Sequence, residues 1–296
     1  MANRIEASGA FLALCLLGAA TAAGADDTKS GGPIDKGLRV FTCGHSFHVW
    51  VPGIVTDLCK KAKIPDHKQV GVSSIGGSRI IQHWNVAEEK NKAKAALKTG
   101  KVDVLTMSPI YLPDEGIENF VKLATDNNKD IRIVIQPIWL RWDTDETKSK
   151  RPSNVDHDAL TGEELRKRHA ALFKSIDDLV AATNKKLGRT TLFVAPAPQA
   201  LIALREKILA KQAPGLMTQS ALFTDAVGHG TAPLMALVSY CNYATIYRRS
   251  PVGLPVPEIL KRAKLGEDEE KLNKLLQELA WDAVTAHPLS GVKASR

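Results

Sequence analysis

Five short apolar runs, set apart by stretches of helical periodicity, constrain what this chain can fold into. They occupy residues 38–43, 70–73, 102–107, 131–135 and 190–194, and runs this short read as strands, 38–43 as a buried one. Residues 51–63 put Ile54, Val55 and Leu58 on one helical face, and 85–98 read as a charged helix closed by Gly100. Thr161 and Glu164 form a capping box that opens a long amphipathic helix carrying Leu165, Leu172, Ile176, Leu179 and Leu187. An apolar helix covers 234–247, and beyond Pro257 a further apolar series from Ile259 to Val284 describes one or two more.

Strands alternating with helices imply right-handed crossovers. The expected fold class is therefore α/β: a three-layer α/β/α sandwich with a mainly parallel central sheet of about five strands, plus C-terminal helices. Ligands of such sheets bind at the carboxyl ends of the strands, so chemistry is sought just after Cys43, Ser73, Met107, Ile135 and Val194. Residues 144–160 are polar and aperiodic and read as an excursion from the compact fold.

With 44% hydrophobic and 24% charged residues, the chain is neither disordered nor a polytopic membrane protein. Its net charge of +8 invites a nucleic-acid reading. The basic residues, however, sit on expected helices mixed with acids, and the sparse aromatics are not interleaved with them, so no nucleic-acid partner is expected. Arg4, the apolar run 11–23 and Ala23-Gly24-Ala25 have the form of a signal peptide cleaved after Ala25. That run is too short to remain as a membrane span, and Leu14 before Cys15 is too large for a lipoprotein cleavage site. No stable membrane anchor is then expected after cleavage, and the location is secreted or periplasmic. Cys43, Cys59 and Cys241 remain, too few for a disulfide framework, and read as buried free thiols. The expected organisation is a signal peptide over 1–25, an unstructured mature start over 26–36, an α/β domain over 37–256 and a helical extension over 257–296.

Three segments carry side chains suited to catalysis. After the first strand, Gly44-His45-Ser46 can expose the Ser46 hydroxyl at a helix amino terminus, where backbone N–H groups stabilise an oxyanion; the plainer alternative is that Ser46 caps that helix. After the second, Gly76-Gly77-Ser78 lets the backbone approach a substrate, or is only a tight turn. Late in the chain, Asp225 and His229 share one loop, where the acid can orient the imidazole.

Taken together these segments resemble the SGNH (GDSL-like) hydrolases, whose serine follows the first strand. The resemblance covers roughly 37–257. It is closest to a secreted bacterial branch with a Gly-Gly-Ser turn and a nearby His-Trp, here Gly76-Gly77-Ser78 and His83-Trp84, and a Tyr-Gly-Arg-Ser-Pro-like end, here Tyr247-Arg248-Arg249-Ser250-Pro251. It implies Ser46 as nucleophile, His229 as base, Asp225 as acid, and an oxyanion hole from Ser46, Gly76 or Gly77. Three departures stand out. His45 precedes the serine where the family has Asp or Asn. Ser108 replaces the usual third-block Asn as a weaker donor. Three residues, Ala226, Val227 and Gly228, separate acid from base instead of two. The extra residue amounts to about 3.3 Å of extended chain, which Gly228 has to absorb for the Asp–His bond to form.

The expected activity is a secreted serine esterase acting through an acyl-enzyme, with a small-molecule or carbohydrate ester, such as an O-acetyl sugar, implied by the resemblance alone. The alternative is a catalytically silent SGNH-fold protein binding an anionic glycan. His45, His48 and Gln136 are expected to line the site, and no cofactor is expected. A metal site from His45, His48, Asp225 and His229 is disfavoured, because His45 and His48 flank a turn that need not aim both rings at one point.

Overall fold

A computed structural model describes Met1 and residues 32–144 and 152–293. The signal-peptide segment after Met1 therefore lies outside the described residues, as do 26–31 of the expected unstructured start. Within the remainder of that start, the Ile34 N–H donates to the Tyr247 carbonyl at 2.8 Å.

In chain order the elements are β1 (Arg39–Gly44), α1 (Val51–Lys61), β2 (Lys68–Ser74), α2 (Ile80–Trp84), α3 (Lys92–Lys98), β3 (Val104–Met107), α4 (Glu115–Asn127), β4 (Arg132–Ile135), α5 (Gly162–Leu187), β5 (Leu192–Val194), α6 (Ala197–Leu209), α7 (Ala232–Tyr247), α8 (Glu258–Lys261) and α9 (Glu269–Ala286). All five strands pair in parallel in the order β2-β1-β3-β4-β5. This is the flavodoxin-like order, with its topological switch between β1 and β3. Alternation along the strands assigns the two faces. Val40, Val104 and Val134 join a core with α1, α6, α7 and α9. Phe41, Leu105 and Ile133 join the opposite core with α3, α4 and α5.

Helix α7 is apolar all round and buried along nearly its whole length. It therefore needs cover on every side, and α9 supplies Leu272, Leu276, Ala280 and Val284 to the same core. At its carboxyl end, Arg132 of β4 donates to the Ile246 carbonyl at 2.6 Å and the Thr245 carbonyl at 3.0 Å, a cation placed where the helix dipole favours one. The expected capping box of α5 is present: Thr161 Oγ1 accepts from the Glu164 N–H at 3.3 Å, and Glu164 Oε2 accepts from the Thr161 N–H at 2.8 Å.

The charged stretch 85–98 is not one helix. Asn91 interrupts it by accepting from the Lys94 N–H to start α3, while its amide donates back to the carbonyls of His83, Trp84 and Val86. The segment 144–160 also differs from the expected excursion. Residues 145–151 lie outside the described residues, but His157 and Leu160 beyond them are buried, Leu160 against Leu165 and Ile202.

Candidate active site

Strand β1 ends at Gly44, beside the switch between β1 and β3. A Cβ at Gly44 would lie 2.8 Å from the His48 ring, so glycine lets that ring pack against the strand end. The chain then turns through residues 45–50, where the His45 carbonyl accepts from the N–H groups of His48 and Val49. Ser46 does not cap α1. The cap position is Trp50, with no side-chain hydrogen bond, and the Trp50 indole instead donates to the Ser46 carbonyl at 2.8 Å. Released from capping, the Ser46 hydroxyl faces the late loop, and its Oγ lies 2.8 Å from His229 Nε2.

That loop is closed by an antiparallel bridge between Phe223 and Gly230. Asp225 Oδ2 lies 2.7 Å from His229 Nδ1, while Oδ1 accepts from the backbone N–H groups of Gly228 at 3.0 Å and His229 at 3.2 Å. Gly228, at φ +97°, absorbs the extra residue between acid and base. Its left-handed conformation turns its carbonyl to the Trp139 indole N–H at 2.8 Å. The Phe47 ring packs between His229 and Trp139, with centroids 5.0 and 4.6 Å away. Burial raises the Asp225 carboxyl, but the hydrogen bonds from His229 and the two N–H groups outweigh it and hold the group below the usual carboxylate range. With side-chain exposures of 44% for Asp225 and 35% for His229, this hydrogen-bonded pair is partly open to solvent.

The Gly76-Gly77 turn stands next to this site. β2 pairs with β1 up to Gly44↔Ser74, and the Ile75 N–H donates to the Gly44 carbonyl at 3.2 Å. Gly76 and Gly77 are exposed, and Gly77 takes φ +60°. The turn is held by buried His83, whose Nδ1 lies 2.7 Å from Ser73 Oγ and whose Nε2 lies 2.7 Å from Ser78 Oγ. Ser108 follows β3 and is fully buried, with no hydrogen-bond partner for its hydroxyl.

His45, His48 and Gln136 are buried beneath the turn instead of lining an open surface. His48 Nδ1 lies 2.8 Å from Gln136 Oε1, and its Nε2 lies 3.0 Å from Thr106 Oγ1, which is 2.9 Å from Thr42 Oγ1. Gln136 Nε2 donates to the Phe47 carbonyl at 3.1 Å, and Gln136 Oε1 also accepts from Asn242 Nδ2 at 2.8 Å. An amide oxygen only accepts, so His48 carries its proton on Nδ1 and receives at Nε2. The result is a polar network that fixes the carbonyl next to Ser46 from below. Burial pushes His48 down to about 4, against the hydrogen bond it donates to Gln136, which raises it. Burial above all, with the Arg141 cation adding to it, pushes His45 down to about 3. Both rings are therefore neutral at ordinary pH. His45 Nδ1 accepts from the Phe47 N–H at 3.3 Å. Among the described residues no group of three or more His, Cys, Asp or Glu is placed to hold a metal ion.

Nothing in the sequence marked Thr42, Thr106, Trp139 or Asn242 as supports of this site. Trp139 lies four residues beyond the end of β4, near the carboxyl edge of the sheet, but its target, the Gly228 carbonyl, belongs to a distant loop. At the same edge, a cavity of about 240 Å³ opens between the loops after β3 and β4 and helix α5, lined chiefly by Ile110, Leu112, Ile138, Leu140 and Leu172. Cys43, Cys59 and Cys241 are free, buried thiols.

The fold is a flavodoxin-type α/β/α sandwich, and its switch-point edge carries a Ser–His–Asp chain. No family model matches the protein, and no curated protein sequence matches it significantly. Among solved structures it is similar to a candidate SGNH hydrolase from Slackia heliotrinireducens, at 14% identity over 71% of this chain and 99% of that one, with a TM-score of 0.43. It is also similar to WcbI, described as a polysaccharide biosynthesis enzyme, at 14% identity over 86% of this chain and 92% of that one, with a TM-score of 0.37. Neither likeness assigns a residue or a reaction to this chain.

Proposed function

We propose that the protein is an exported serine esterase that hydrolyses an ester, such as an O-acetyl group on a carbohydrate, through an acyl-enzyme. The observation that carries this reading is the continuous chain from Ser46 Oγ to His229 Nε2 at 2.8 Å and from His229 Nδ1 to Asp225 Oδ2 at 2.7 Å. Ser46 Oγ attacks the ester carbonyl as His229 Nε2 takes its proton, and Asp225 stabilises the imidazolium. The backbone N–H groups of Ser46 and of Gly77 or Gly76 receive the oxyanion. Collapse of the tetrahedral intermediate expels the alcohol, which takes the proton from His229. Water, deprotonated by His229, then releases the acid and restores Ser46. The acetyl and carbohydrate assignments follow the family resemblance, and export follows the signal-like segment 1–25.

The second reading is a silent glycan-binding protein, favoured by one observation: buried Ser108 stands where the family offers an oxyanion-binding Asn. An oxyanion donor is worth about 2.7–4 kcal/mol in the transition state, so its loss slows an esterase severely. A fluorophosphonate probe on the purified protein separates the two. Labelling mapped to Ser46 and abolished in Ser46→Ala is the expected result. Absence of labelling, under conditions that label a control esterase, overturns the enzyme reading.

A further inference from the structure

Behind the acid-bearing loop lies a buried charged cluster that the proposed mechanism does not use. Arg205 of α6, 1% exposed, donates two parallel hydrogen bonds to the Asp143 carboxylate, Nη1 to Oδ1 at 2.7 Å and Nη2 to Oδ2 at 2.9 Å. Its Nε donates to Gln219 Oε1 at 2.6 Å, and Nη2 donates again to the His157 carbonyl at 2.6 Å. Gln219 is held in turn by the carbonyls of Asp158 and Leu160. His157 bridges this cluster to the site. Its Nδ1 lies 2.9 Å from Asp143 Oδ2, its Nε2 lies 3.2 Å from the carbonyl oxygen of Asp225, and its ring stacks on Phe223 at 4.3 Å.

We propose that His157 is a positioning residue for the acid, carrying the rigidity of the Arg205–Asp143 pair to the Asp225 backbone; this rests on the esterase reading. The Asp225 carbonyl and the Asp143 carboxylate both only accept, so the ring donates from both nitrogens, Nε2 to Asp225 and Nδ1 to Asp143. The loop is anchored to the same region at two further carbonyls. The Trp142 N–H donates to Val227 at 3.2 Å and the Trp139 indole to Gly228 at 2.8 Å, so Asp225, Val227 and Gly228 are all tied to segments that follow β4. Trp142 and Asp143 adopt left-handed backbone at φ +53° and +51°, a conformation costly for side-chain-bearing residues and maintained only where surroundings over-determine it. The bidentate ion pair at Asp143 supplies that constraint. Burial raises the Asp143 carboxyl, but the bonds from His157 and Arg205 prevail and hold it below the usual carboxylate range, so it stays ionised as the anchor.

The geometry separates this role from simple packing. His157→Phe fills the same space on Phe223 and leaves the Arg205–Asp143 pair intact, but donates to nothing. His157→Gln restores one donor at the position of Nε2. We expect His157→Phe to lower kcat on a soluble acetyl ester about tenfold with KM unchanged, the range set by one hydrogen bond, and to shift or broaden the downfield proton resonance of His229 Nδ1–H. His157→Gln should recover most of both signals. Wild-type kcat and an unshifted resonance in His157→Phe would overturn the positioning role, as would a loss that tracks the melting temperature and is not relieved by His157→Gln. Failure of the wild type itself to label with fluorophosphonate sinks the esterase reading, while the His229 resonance continues to test the tie between His157 and the loop.

Discussion

Asp225 gives its two carboxylate oxygens different tasks toward His229: Oδ2 meets the ring at Nδ1, and Oδ1 accepts the backbone N–H of the same residue together with that of Gly228. One side chain thus sets both the tautomer of the imidazole and the shape of the loop that presents it. Asp225→Asn should divide these tasks. Its amide oxygen would stay on the two N–H groups, turning the NH2 toward Nδ1 and forcing the proton onto Nε2, which then cannot accept from Ser46. A loss of kcat on the order of 1,000- to 10,000-fold with an unchanged fold is expected. Near-wild-type turnover of an acetyl ester would show that Asp225 does not act as the acid.

Gly228 is the residue that reconciles three intervening residues with a 2.7 Å Asp–His contact. Its φ of +97° strains any residue bearing a Cβ, and an added Cβ would meet the Trp139 indole nitrogen at 3.4 Å. Gly228→Ala should destabilise the protein by about 1–3 kcal/mol and depress kcat more than KM. Urea unfolding with steady-state kinetics checks both, and an Ala variant with wild-type stability and rate contradicts this account of the loop.

Gln136 serves His48, Asn242 and the Phe47 carbonyl at once. Gln136→Leu would strand these buried groups, at about 1–3 kcal/mol for each one left unsatisfied. Chemical denaturation should therefore register a loss of several kcal/mol, and labelling of Ser46 should slow because the turn loses its lower support. A variant as stable as wild type would show that the network contributes nothing to the fold.

Acid should unfold this protein early. His45, His48, His83 and His169 are buried, and burial pushes them from the ordinary 6.5 to about 3 for His45 and about 4 for the others. The unfolded chain thus binds more protons than the folded one over that range. Stability is full above about pH 6.5 and falls progressively as the pH drops toward about 4. The urea midpoint measured across this interval should decline with acidification; a flat or rising midpoint would contradict the burial of neutral rings.

The thiols test export and structure in one titration. Cys43, Cys59 and Cys241 are buried and free, and burial pushes Cys59 up to about 12, so a thiol reagent should find none of them in the native protein. Denatured exported protein should yield three. Four would mean that Cys15 is retained and that cleavage after Ala25 did not occur, and fewer than three would contradict free thiols.

Strands and most helices were legible in the sequence because hydrophobic periodicity is local: β1 through β5 fall on the five apolar runs, and Thr161 and Glu164 announced α5 by their own spacing. Where a local rule misled, a side chain had acted beyond its neighbours. Asn91 bonded back to three carbonyls and split a periodic stretch, and Ser46, a plausible cap, turned to a histidine 183 residues away. The sequence could nominate Ser46, Asp225 and His229 through residue type and placement after strands. Only the tertiary structure decided that they meet, that His48 and Gln136 lie beneath the turn, and that His157 reaches the Asp225 carbonyl. Those contacts join segments that have no common periodicity. Their hydrogen bonds depend on angstrom-scale placement by the whole packed core, which no stretch of chain encodes alone.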